Sequence, residues 1–188
     1  MATKVTTGKV RFSFCNLFEA KAPQGGGDPK YSVTLLIPKS DKVTMSKIQA
    51  AMAEARENFC SRNGANALPQ KPVNTLHDGD GIRDNGDSYG PECKGCYVIT
   101  VSSKQKPVIL DSFGNEITDP TEVYSGCYGR AVINFYGYNT AGKKGISAGL
   151  LGVKKLHDGE PFGTTCSASD FDDGWTDEEG ADDDNFMS

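Results

Sequence analysis

The sequence predicts a mainly β domain, a small barrel or sandwich with one prominent helix and long loops, followed by a disordered acidic C-terminal tail. Three observations carry that prediction. At least five segments alternate apolar and polar residues with the period of a strand, and a single stretch carries a helical stripe. Finally, nine of the 25 acids lie in residues 170–188 with no base among them, while all 20 Lys and Arg stand at or before Lys155. Residues 1–169 therefore form a mildly basic body, with a surplus of about four positive charges, and the overall net charge of −5 conceals it.

Taken in order, Lys9 to Cys15 alternates, with Val10, Phe12 and Phe14 on one side and Lys9, Arg11 and Ser13 on the other, as a half-buried strand with a basic outer face does. Ala20 to Pro29 is a loop whose Gly25-Gly26-Gly27 has little to fix it in one conformation. Lys30 to Ile37 is a second strand with Tyr31, Val33, Leu35 and Ile37 on one face, ended by Pro38. Ser40 or Asp41 caps a helix from about Lys42 to Arg62, in which Ile48, Met52, Ala55 and Phe59 form the stripe and Asn63-Gly64 the stop.

Ala65 to Pro91, rich in Pro, Gly, Asn and Asp, reads as surface loops and short turns. Tyr97 to Ser102 and Pro107 to Leu110 resume strand patterning, with Ser103-Lys104-Gln105-Lys106 as a basic hairpin tip. Ile117 to Tyr124 leads as a short turn or helix into Tyr124 to Tyr138, the densest aromatic run of the chain. Extended, that run places Tyr128, Arg130, Val132, Asn134, Tyr136 and Tyr138 on one face and Cys127, Ala131, Ile133 and Phe135 on the other. The second is a core face. The first suits flat, charged ligands, since any nucleobase can stack on Tyr and Arg can serve base or phosphate. Asn139 to Gly145 is a turn with Lys143 and Lys144 at its apex, and Ile146 to Leu156 is a closing strand.

Other motifs fail on context. Gly137 to Lys143 begins like a phosphate-binding loop, but Lys144 replaces the metal-holding Ser or Thr and a strand follows where a helix is needed. Cys93 and Cys96 have metal-ligand spacing without a second pair, so no metal and no cofactor is assigned. Asp78-Gly79-Asp80-Gly81-Ile82-Arg83-Asp84 lacks ligands that a calcium loop requires and is better read as turn chemistry. Two histidines outside any nucleophile or metal motif offer no catalytic framework, which argues against an enzyme. The six cysteines, with no secretory signal and no long apolar stretch, point to reduced thiols, no membrane and the cytoplasm.

The tail, from Asp170 to Ser188, repels itself and cannot form a core. It nevertheless keeps Phe171, Trp175 and Phe186 beside Asp182, Asp183 and Asp184. An acidic strand with spaced aromatics imitates single-stranded nucleic acid and can anchor in a basic pocket of a partner.

Ser125 to Arg130 with Ile133 to Tyr138, Gly145 to Leu151 and Leu156 to Glu160 make the chain resemble phage single-stranded DNA-binding proteins of an OB-fold family found in tailed phages. The resemblance covers most of residues 5–165. It implies an OB-like five-stranded barrel over residues 1–169 that coats single-stranded DNA without sequence preference during replication or recombination, in the host cytoplasm if the chain is phage-encoded. It also implies a tail that recruits replication or recombination proteins. The plan is also similar to bacterial and phage single-strand binding proteins whose acidic tails end in an aromatic residue, whereas here Phe186 is followed by Met187 and Ser188. The predicted helix follows the second strand, whereas the ordinary OB order places it between the third and fourth.

On this reading Lys9, Arg11, Lys30, Tyr31, Lys104, Lys106, Tyr128, Arg130, Tyr136, Tyr138, Lys143 and Lys144 line the DNA groove, and the tail competes for it. A homodimer is compatible with the sequence. The competing reading is a phage protein-interaction or structural module without nucleic-acid affinity, with the tyrosines at an interface.

Overall fold

The computed structural model describes residues 3–22, 25–83, 86–140 and 142–162, with Phe171 and Gly174. In chain order the elements are β1 (Lys4–Thr6), β2 (Val10–Lys21), β3 (Lys30–Pro38), α1 (Lys42–Asn63), β4 (Leu76–Asp78), β5 (Cys96–Ser103), β6 (Val108–Leu110), β7 (Tyr128–Thr140) and β8 (Lys143–His157).

Five of these strands close a ring in which each pairs with the next, β7 to β2, β3, β5, β8 and back to β7. All pairs are antiparallel except β5 and β8, which run parallel and meet at Ser102 and Gly149. This is the five-stranded OB-like barrel that the resemblance implied, with α1 after the second barrel strand as the periodicity indicated. The other strands extend it. β1 joins the free edge of β7 and β6 that of β8, so that β1, β7, β8 and β6 make a second, four-stranded face, and β4 adds to β5.

The core follows from alternation. Phe12, Leu35, Ile37, Ile99, Ile133 and Leu150 point into the barrel and are fully buried. On β7, Ala131, Ile133 and Phe135 are buried while Arg130 and Tyr136 are exposed and Tyr128 and Tyr138 half-buried, the division expected of this run. Asp41 caps α1 by accepting a hydrogen bond from the Thr44 amide at 3.1 Å, and Gly64 ends it at a φ of 109°. Ile48, Ala51 and Ala55 bury its inner stripe. Phe59 lies so close to β7 that a Cβ added at Gly137 would sit 2.6 Å from it, so only glycine lets the helix settle there.

Three expectations are corrected. Phe14 does not share the buried side of Val10 and Phe12: it is 64% exposed and takes a φ of 48°. The β2–β3 register slips between Ser13 and Asn16, and a bulge of this kind re-aims the residue it contains. Lys104 to Lys106 is not a hairpin tip, because β5 and β6 do not pair with each other. Both run parallel to β8, so the lysines bulge from one interrupted strand. The tract from Ala65 to Pro91 is not loops and turns alone, since Leu76–Asp78 pairs with β5. A three-residue strand is too short to show a period. Among the described residues no helix is long and apolar enough to cross a membrane.

Candidate nucleic-acid interface

The outer face of β2, β3 and β5 is a floor of small side chains. The register aligns Ser13 with Thr34 and Thr34 with Thr100, then Ser32 with Ser102. The Thr34 and Thr100 hydroxyls lie 3.1 Å apart, and Asn16 Nδ2 donates to Ser32 Oγ at 3.3 Å. Short hydroxyl side chains leave room above the sheet for a flat ligand and offer it donors and acceptors.

Two walls rise from this floor. On one side stands Phe14, aimed outward by the bulge. On the other, Arg83 lies 4.8 Å from the centre of the Tyr89 ring, and His77, opposite Val98 in the β4–β5 register, lies 6.5 Å from it, ring centre to ring centre. Together they enclose a groove of about 430 Å³. An exposed aromatic across a hydroxyl floor from an Arg–Tyr pair can sandwich bases and neutralise a phosphate.

None of these wall residues stood among the twelve assigned from the sequence. One signal was present: the apolar phase changes from even positions, Val10 and Phe12, to odd positions, Cys15 and Leu17, which demands an extra residue between them. Tyr89 and Arg83 carried no such signal, since both lie in a tract without periodicity.

The assigned residues form separate groups rather than one groove. Lys30, Tyr31, Lys104 and Lys106 gather at the far end of the β2–β3 hairpin. There Lys104 Nζ pairs with Asp28 at 3.0 Å and draws its carboxyl below the ordinary range, and Lys106 Nζ sits 5.8 Å from the Phe18 ring. Lys30 stands opposite Lys21 and Tyr31 opposite Ser103. At the other end of β2, the Tyr128 ring stacks on His157 at 4.7 Å, with Lys9 at 5.7 Å and Arg11 at 5.2 Å.

Arg11 is a fastener there. Its Nε donates to the Gly126 carbonyl at 2.9 Å and its Nη2 to that of Glu160 at 2.6 Å, while the guanidinium covers Phe162 at 4.2 Å. Arg130 turns to the second face, where its Nε donates to the Thr7 carbonyl at 2.7 Å. Tyr136, 44% exposed, borders a different hollow with Asn58 and Arg62 of α1. Tyr138, Lys143 and Lys144 end the β7–β8 hairpin, where Tyr138 faces Gly145. One strand cannot put Tyr128, Arg130, Tyr136 and Tyr138 in one groove because β7 spans roughly 40 Å at ~3.3 Å per residue and curves around the barrel.

The Asp78 to Asp84 loop is turn chemistry as expected, in its described part: Asp78 Oδ1 accepts from the Asp80 amide at 2.9 Å, and Lys39 Nζ reaches both carboxylates at 2.7 Å. Cys93 packs with Leu36 and Val98, and burial raises its thiol pKa. Of the tail residues, Phe171 is exposed, and Trp175, Asp182, Asp183, Asp184 and Phe186 lie outside the described residues.

Comparison with known proteins shows the family. The profile of a family described as the ssDNA-binding protein of Enterobacter phage Enc34 matches residues 3–186. Protein p50 of Acyrthosiphon pisum secondary endosymbiont phage 1 is 33% identical over 176 residues, which cover 90% of this chain and 93% of that one. The solved single-stranded DNA-binding protein of bacteriophage Enc34 in complex with ssDNA superposes with a TM-score of 0.75 at 31% identity, over 86% of this chain and 90% of that one. The single-stranded DNA-binding protein gp2.5 of bacteriophage T7 superposes at 0.59 with 15% identity, over 92% of this chain and 94% of that one, a likeness of fold alone.

Proposed function

We propose, from the premise that the chain belongs to the phage single-stranded DNA-binding family described for Enterobacter phage Enc34, that it binds single-stranded DNA without sequence preference and without catalysis. The observation that carries the site is Phe14. A phenylalanine held in the left-handed region and left largely exposed costs stability, and a cost of that kind points to a functional position.

DNA lies along the hydroxyl floor, with bases stacked on Phe14 and Tyr89. Its backbone continues toward Lys30, Lys104 and Lys106 at one end and passes Lys9 and Tyr128 at the other. Stacking platforms and phosphate-tracking cations do not distinguish sequences, so the protein coats whatever single strand replication or recombination exposes. The acidic tail competes with DNA for cationic surface and recruits replication or recombination proteins, and the setting is the host cytoplasm.

Fluorescence anisotropy of a labelled oligo-dT across a salt series tests the reading. Micromolar or tighter binding that weakens as salt rises is expected. No binding at low salt would reject it in favour of an interaction module.

A further inference from the structure

The second face, made by β1, β7, β8 and β6, shares no residue with the groove at Phe14. It holds a hollow of about 410 Å³ floored by Val108, Val132 and Leu151 and rimmed by Lys4, Arg130 and Lys154. Val108 is 59% and Leu151 47% exposed. Among the described residues none of the three cations makes an ion pair. No aromatic lines the hollow, so it offers bases no platform.

Leu110, at the edge of the same hollow, leads into a turn that carries Phe113 at its tip. The turn is braced across its base. Leu110 bridges to Glu116, the Ile117 amide donates to the Ile109 carbonyl at 2.8 Å, and the Asp111 amide donates to that of Asn115 at 2.8 Å. Inside it, Asp111 Oδ1 accepts from the amides of Phe113 and Asn115, each at 2.9 Å. Phe113 is nonetheless 88% exposed, more than any other large apolar side chain among the described residues. A ring held out on a braced turn loses little freedom when a partner covers it, and aromatics seated in pockets dominate interface energies.

The surroundings of ring and hollow are opposite in charge. From Asp111 to Glu122 the chain carries four acids and no base. Of these, Glu116, Asp119 and Glu122 are exposed and, among the described residues, make no ion pair. An apolar cavity of about 150 Å³ already admits benzene, so the hollow has room for a benzyl side chain. That side chain is not the Phe113 of the same copy, whose exposure shows it standing clear.

We infer that a second copy of the chain supplies it. Two copies pair about a two-fold axis, Phe113 of each entering the hollow of the other, with the acids beside the ring against the cations of the opposing rim. Ring and hollow adjoin through Leu110, so one interface makes both contacts and closes at two copies. Arg130 then serves this contact rather than the DNA groove.

Sedimentation equilibrium of the full-length protein over the micromolar range should show pairs that loosen as salt rises. Phe113→Ala and Leu151→Glu should each sediment as single copies, with circular dichroism and thermal melting confirming that both are folded. Mixed in equal amounts, the two variants should pair again, more weakly than the original protein. One of the two contacts is then restored, since the alanine copy keeps its hollow and the glutamate copy its ring. Single copies throughout in the unaltered protein would overturn the inference, as would assemblies larger than two, pairing that survives both substitutions, or a mixture that stays unpaired. So would weaker binding of the Phe113→Ala variant to an oligo-dT too short for two copies, which would make the ring a platform for bases.

Discussion

Replacing Phe14 by alanine separates the role of this side chain in binding from any role in folding. The ring is 64% exposed, so its loss removes little buried surface and should change stability by no more than about 0.5 kcal/mol, the range of ordinary surface substitutions. A base stacked on an aromatic ring contributes about 1–3 kcal/mol, which predicts an affinity for oligo-dT weaker by about 5- to 150-fold. Because an aromatic ring has no charge with which to neutralise a phosphate, the salt dependence of binding should keep its slope. A companion variant, Phe14→Gly, exploits the φ of 48°. Release of left-handed strain returns about 1–2 kcal/mol, against about 0.5–1 kcal/mol of lost glycine entropy. This variant should bind as weakly as the alanine variant and melt no lower than the original protein. Anisotropy titrations and thermal melts measure both quantities. An alanine variant whose affinity stays within about twofold of the original would refute a stacking role, and one that melts far lower would show that Phe14 belongs to the core after all.

The cations should behave in the opposite way to Phe14. Lys104→Gln and Lys106→Gln should each lower the slope of log affinity against log salt by about 0.7 if the residue meets one phosphate, with slopes from the same titrations as the check. At Gly129 an added Cβ would stand 2.4 Å from the Lys154 carbonyl and 2.7 Å from the Phe12 ring. Gly129→Ala should therefore destabilise the barrel by about 1–3 kcal/mol in urea unfolding, as overpacking does. Asp78 and Asp80 are drawn below the ordinary carboxylate range by hydrogen bonds from Lys39. The stability they contribute is complete above that ordinary range and is lost as pH falls through their lowered values. Lys39→Met should flatten this acid limb in melts recorded between neutral pH and about pH 2, and an unchanged limb would dismiss the pair.

The barrel was legible because its inward positions are continuous. Val33, Leu35 and Ile37, or Ala131, Ile133 and Phe135, keep strict alternation for as long as each strand crosses the core, and the cap and stop of α1 are local signals. What escaped was information written in pairs. Whether Lys104 sits at a hairpin tip or in an interrupted strand depends on the partner of β6, which is β8 rather than β5. That Ser13, Thr34 and Thr100 share a floor depends on register across three strands, and none of them stands out alone. Phe14 misled for a third reason: as a large apolar residue in phase with two others it read as core, although the change of phase at Cys15 and Leu17 was the better guide.

The aromatic run of β7 reads in the sequence as one binding face, whereas the structure spreads its residues over several surfaces. Near Tyr128 it meets Arg11, which ties the carbonyls of Gly126 and Glu160 and lies over the Phe162 ring. In register Arg11 also stands opposite Leu36, at the border of the hydroxyl floor. The same guanidinium thus ties Phe162 to one end of the hydroxyl floor. A strand that passes around a barrel cannot present a single surface, so the residues of one run lie on whichever face is beneath them: Tyr128 beside Arg11, Arg130 on the second face, Tyr136 at the hollow beside α1.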